Sequence, residues 1–93
     1  MHYYGQDGSL ALAQRRIFLV HYPHYAKAMA LTGEYDLVCN GHEHRPVVER
    51  ISNIKGGVTL RIDPGTVAGV SGPRSYVFGD LTTLEFAIRS VTL

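Results

Sequence analysis

Cysteine is nearly absent from this chain. Cys39 stands alone among 93 residues, so no internal disulfide can form. A lone thiol inside the apolar run Leu37-Val38-Cys39 reads as a small buried hydrophobe and fits a reducing, cytoplasmic setting. Long apolar runs are missing as well, and none approaches the ~20 residues of a membrane helix. The start, Met1-His2-Tyr3-Tyr4-Gly5, lacks the basic segment and apolar stretch of a secretory leader. Charge of one sign is also scarce. A net charge of +1, with Lys and Arg scattered rather than striped, removes the electrostatic argument for nucleic acid or anionic lipid as a partner. Internal repeats and low-complexity tracts are absent too.

What is present is the composition of one small globular domain. At 45% apolar and 18% charged residues, the chain is too apolar for wholesale disorder, and at this length a second core is not expected. Residues 1–14 hold the turn formers Gly5, Asp7, Gly8 and Ser9 and read as a loose lead-in, or a tail that packs on a partner. Residues 15–93 form the domain proper.

The run Arg16-Ile17-Phe18-Leu19-Val20-His21, stopped by Pro23, is continuously apolar and predicts a strand buried on both faces. Residues 24–33 predict a short helix with Gly33 as its C-terminal cap. Tyr35 to Asn40 predicts a second short strand, closed by the turn at Gly41. Strand, helix, strand within about 25 residues is the length of a right-handed βαβ unit, whose functional groups gather at the carboxyl ends of its strands. Beyond it, Val47–Ile54 and Val58–Ile62 predict a hairpin turning at Gly56-Gly57. Asp63-Pro64-Gly65-Thr66 predicts a turn, residues 67–75 a Gly-, Ser- and Pro-rich loop, and Tyr76–Leu81 with Leu84–Val91 two further strands. The fold class is therefore α/β: one βαβ unit followed by antiparallel strands.

Chemistry concentrates at two strand ends. His42 and His44 flank Glu43 directly after Gly41. On a regular strand, imidazoles at i and i+2 point to opposite sides. On a tight turn, with Gly41 supplying backbone freedom, they can converge on adjacent metal positions. His21 ends the neighbouring predicted strand, so three imidazoles can meet at one sheet edge, a donor set suited to divalent transition ions. His24 either presents another imidazole there or caps the helix start. Lone histidines are usually structural or solvated, and His2 is read so. Arg45 and Arg74 are candidates to meet a phosphate, against the more frequent role of a solvated surface charge. Asp63 makes a structural side-chain-to-backbone bond in its turn.

An apolar strand ending in His, a helix, an Asp-containing strand and Gly41-His42-Glu43-His44, followed by Asp63-Pro64-Gly65-Thr66 and by Pro73-Arg74 before a strand, resembles the C-terminal half of a calcineurin-like metallophosphoesterase. The likeness is to the small phosphodiesterase branch, which includes YfcE-like enzymes and a retromer scaffold subunit, and it covers roughly residues 15–92. It implies a layered α/β sandwich around two divalent metal ions (Mn, Fe, Ni or Zn), bridged by a carboxylate and a hydroxide that attacks a phosphomonoester or phosphodiester. His21 and His42 then ligate one metal and His44 the other. Of the family's N-terminal motifs, Asp-x-His and Gly-Asn-His-Asp/Glu occur nowhere in these 93 residues, and the one Gly-Asp pair, Gly79-Asp80, lies far along the chain without the N-terminal context. Glu43 stands where Thr is common, Tyr22 where Gly is usual and Asp63 where Asn is usual. Three imidazoles cannot complete two sites of about four ligands each, so partial or no metal occupancy is expected, and no catalytic acid or base is assigned. The resemblance thus implies a truncated phosphoesterase. The alternatives are a non-catalytic scaffold, self-associating through an open sheet edge, or a subunit completed by a separate N-terminal chain.

Overall fold

The computed structural model describes residues 2–3, 7–41, 45–65 and 75–90. Strands β1 (His2–Tyr3), β2 (Asp7–Leu12), β3 (Arg15–Val20), β4 (Leu37–Cys39), β5 (Pro46–Ser52) and β6 (Val58–Pro64) form one sheet, in the spatial order β1-β2-β3-β4-β6-β5. Helix α1 (Pro23–Leu31) links β3 to β4, and β7 (Ser75–Asp80) pairs with β8 (Glu85–Ser90) in a second, two-stranded sheet.

The predicted βαβ unit is present: β3 and β4 are parallel, with Phe18 opposite Val38. Two residues explain how its helix starts and stops. Pro23 takes the first helical position, where a missing N–H costs nothing. Gly33 follows the C-cap Thr32 with φ +73, and its N–H donates to the Ala30 carbonyl. Only glycine adopts that backbone region without strain. The Lys55 ammonium, 2.9 Å from Glu34, ties this helix end to the β5–β6 turn and holds the Glu34 carboxyl below its usual range.

The expectation of a loose lead-in over residues 1–14 is corrected for its described residues, 2–3 and 7–14. Asp7–Leu12 is a regular strand, antiparallel to β3 along its whole length from Asp7–Val20 to Leu12–Arg15. The pairing is rewarded because Leu10 packs on the buried cluster of Ile17, Leu37, Leu60 and Ile62. The connection is the two-residue loop Ala13-Gln14, both residues at positive φ (51 and 64). That geometry matches the strand twist of a hairpin, yet neither residue advertises it.

Alternation along the strands splits the core between two faces. Phe18, Val20 and Val38 face α1, meeting Ala26 and Ala30; Phe18 also stacks obliquely on Tyr35 at 4.9 Å. Ile17, Leu37, Leu60 and Ile62 face the other way, covered by Val77, Leu81, Leu84 and Phe86 of the β7–β8 hairpin. The result is helix, sheet, sheet. Arg15 clips the layers together: its Nε and Nη2 donate to the carbonyls of Leu81 (2.9 Å) and Thr82 (2.7 Å) at the β7–β8 turn.

β6 enters between β4 and β5, parallel to β4 and antiparallel to β5. The predicted hairpin thus docks through its second strand, which brings the carboxyl ends of β3, β4 and β6 to one edge.

Candidate functional site

That edge carries His21, Asn40-Gly41 and Asp63-Pro64-Gly65. His21 follows the last residue of β3, and its imidazole is exposed. The Gly41 N–H donates to the His21 carbonyl at 3.1 Å, continuing the parallel pairing one step past the strands. A Cβ on Gly41 would stand 3.6 Å from His21 Nδ1, so the ring lies against the Gly41 backbone. The Tyr22 ring meets it edge-on at 4.7 Å.

Under this edge lies a buried polar chain. Arg61 on β6 shares the face of Thr59 and Asp63, the α1 side of the sheet, since its neighbours Leu60 and Ile62 point to the opposite cluster. Its Nε donates to Glu49 Oε2 at 2.7 Å and its Nη1 to Asn40 Oδ1 at 2.9 Å. Asn40 Nδ2 donates to Asp63 Oδ2 at 3.2 Å and to the Gly41 carbonyl at 2.8 Å. Asp63 Oδ1 in turn accepts from the Gly65 N–H at 2.9 Å, and the Asn40 N–H donates to the Ile62 carbonyl at 2.8 Å. Buried polar groups are tolerable when satisfied in this way, and among the described residues no buried side-chain polar atom lacks a partner.

The sequence-predicted residues divide as follows. His21 and Gly41 are brought side by side. Asp63 and Pro64 are the last two residues of β6 rather than a free turn, paired with Val47 and Pro46, and the chain leaves the strand at Gly65, φ +76. His24 lies in the first turn of α1, exposed, and Arg45 is exposed just before β5. His42, His44 and Arg74 lie outside the described residues, as do Glu43 and most of the 67–75 loop. Sequence reasoning passed over Asn40, Arg61 and Glu49. The available signal was a charge, Arg61, between two core positions of an apolar strand.

An imidazole at an exposed strand end is a suitable donor for a divalent transition ion. Among the described residues no three His, Cys, Asp or Glu side chains are grouped as a metal site needs. At this edge His21 could offer at most one donor to such a set. Cys39 instead packs on the cluster of Ile17, Leu37, Leu60 and Ile62, where burial pushes its thiol up to about 11.

The geometry can be set beside known proteins. The model of the calcineurin-like phosphoesterase superfamily domain matches residues 1–84. No curated protein matches the sequence significantly. Among solved structures the chain is similar to an archaeal phosphodiesterase, with a TM-score of 0.75 at 24% identity over 92% of this chain and 51% of that one. A hypothetical protein from Pyrococcus horikoshii OT3 is similar at a TM-score of 0.65 and 14% identity, over 92% of this chain and 40% of that one. The chain thus spans about half the length of these structures or less. At such identities the likeness is one of fold.

Proposed function

Because this chain belongs to the calcineurin-like phosphoesterase superfamily, we propose that its complete form hydrolyses phosphate esters with the help of divalent metal ions. The observation that supports this reading is the meeting of His21 with the Gly41 turn, through the Gly41 N–H to His21 carbonyl bond of 3.1 Å, at the carboxyl ends of adjacent parallel strands. His21, His42 and His44 would supply imidazole donors to the metal ions, whether Mn, Fe, Ni or Zn. The ions, when bound, would activate water near neutral pH and offset the charge of the phosphoryl group. Within this chain, the backbone bond from Gly41 orients the His21 strand end, and Tyr22 limits the swing of the ring on one side. Arg45, exposed at the start of β5, is free to meet a phosphate oxygen, and Arg74 is a second candidate.

The substrate reading is a phosphomonoester or phosphodiester small molecule. Further ligands would come from a segment outside these 93 residues, since the family's Asp-x-His and Gly-Asn-His motifs are absent from them.

One observation favours a second reading, assembly with another chain. β5 pairs only with β6 among the described residues, which leaves its outer edge a template for further pairing. This edge suits self-association, a complementing chain, or a non-catalytic scaffold.

Metal analysis and turnover on a bis-aryl phosphodiester test the first reading. At most partial binding of manganese or nickel is expected in the wild type, and what binds is lost in H42A/H44A, with turnover of the 93 residues alone well below ~1 per second, the low end of ordinary enzymes. Turnover at or above that rate would show that no further ligands are needed. Metal uptake unchanged in H42A/H44A would remove these histidines from the ligand set, and a folded wild-type chain that takes up no metal would favour a scaffold or a site completed by another segment. For the assembly reading, a monomer by light scattering at micromolar concentration would count decisively against self-association.

A further inference from the structure

We propose that Asn40 is a positioning residue, locking Gly41 to the end of β6 so that His21 and the Gly41 peptide hold one relative geometry. Asn40, Arg61 and Asp63 are 4%, 3% and 1% exposed, directly beneath the edge that carries His21. Guanidinium nitrogens can only donate, so the atom of Asn40 facing Arg61 must be its carbonyl oxygen. The amide nitrogen then has two hydrogens to give, and the structure assigns them to Asp63 Oδ2 and to the Gly41 carbonyl. The position therefore requires one acceptor and two donors on a short side chain. Aspartate offers no donor and would set a carboxylate against Asp63, whereas leucine satisfies none of the three partners.

The chain of bonds is anchored at both ends. Glu49 fixes the far side of the Arg61 guanidinium, and Asp63 passes the constraint to the Gly65 N–H. Two positions just past different strands, Gly41 and Gly65, are thereby referred to one amide group. A buried ionic chain is weak evidence for stability as such, because desolvation offsets much of its attraction. Its location under the site edge is the reason to assign it to geometry.

The metal arm of the following test rests on the phosphoesterase reading; the exchange arm does not. Backbone amide exchange followed by NMR in N40A is expected to accelerate Gly41 and Gly65 by at least about tenfold relative to Val38 and Leu60, as for a local opening that loses a hydrogen bond. In the same variant, cobalt(II) affinity, read from its visible absorption, is expected to fall by roughly 10- to 100-fold, the usual cost of losing an orienting group behind a ligand. E49Q, at the half-exposed end of the network, is expected to shift both readouts in the same direction by a smaller factor, and it decides the matter should N40A fail to fold. Uniform acceleration across the sheet, or unchanged cobalt affinity in a folded variant, would overturn the assignment. If the wild-type chain, which lacks the family's further ligands, binds no cobalt, the exchange pattern alone decides whether Asn40 positions Gly41.

Discussion

Phe86 on β8 lies across Gly79 on β7, its directly paired residue, so closely that a Cβ built on Gly79 would overlap the phenyl ring. A glycine paired with an aromatic ring in this way loses side-chain packing of its own and gains the ring's cover. Phe86 cannot simply swing aside, because it packs on the cluster of Ile17, Leu37, Leu60 and Ile62 that joins the two sheets.

G79A is therefore expected to destabilise the domain by about 1 to 3 kcal/mol, the usual cost of overpacking. A urea titration measures it. A G79A midpoint equal to that of the wild type would mean that the ring relaxes freely, and that the β7–β8 hairpin is only loosely held on the sheet.

The β2–β3 loop supplies a prediction of opposite sign. Ala13 and Gln14 both hold positive φ, and both side chains are exposed, so their replacement removes backbone strain without disturbing packing. The pair A13N/Q14G installs the residues that a two-residue hairpin loop favours. A gain of about 1 to 2 kcal/mol is expected, since each L-residue in the left-handed region costs on the order of 1 kcal/mol. The same titration reads it, and a loss of stability would show that one of these side chains contributes something the backbone geometry does not reveal.

This loop also marks where sequence reading stopped. The β3–α1–β4 unit was legible because its signals are local: a continuous apolar run, strong helix formers between Pro23 and Gly33, and a second short run. β2 was not, because Gly8 and Ser9 look like turn residues and Ala13-Gln14 does not look like a turn. Its strand character comes from Leu10 finding a core made by residues as distant as Leu60. The placement of β6 between β4 and β5 is likewise long-range. At the candidate edge, His21 was visible by its type and its place at a strand end. The Asn40–Arg61–Glu49 chain was not, because an arginine within Val58–Pro64 reads as outward-facing until the sheet order shows its face covered.

Cys39 makes stability depend on pH in a defined direction. Burial raises its thiol from the ordinary 9.0 to about 11, so the folded state holds the proton more tightly than the unfolded chain. The contribution is fully present below pH 9 and is lost as pH rises from 9 through 11. A two-unit separation corresponds to roughly 2 to 3 kcal/mol at the upper end of that window. Urea unfolding at pH 8 and pH 11 should show this loss in the wild type in excess of that in C39A, which removes the titrating group and leaves all others. Equal losses in both proteins would mean that the thiolate reaches water without unfolding.

The last prediction separates His21 from His24, which the sequence left either at the same edge or capping the helix start. His21 and His24 are both exposed and three residues apart, but they stand in different structural relations to the site. His21 ends β3 with its ring along Gly41 and its carbonyl accepting the Gly41 N–H. His24 belongs to the first turn of α1, and its placement is set by the helix rather than by the sheet edge. If the sheet edge defines the metal site, H21A should weaken cobalt(II) binding by at least ~10-fold, no less than the loss of an orienting group costs. H24A should leave the affinity unchanged and the absorption envelope intact. Equal weakening by the two substitutions would move the site toward the helix start, and loss in H24A alone would remove His21 from the ligand set. Thermal melts of both variants complete the comparison: each side chain is exposed, so neither substitution is expected to shift the midpoint of the apo chain, and any change in cobalt affinity then reads ligation rather than folding.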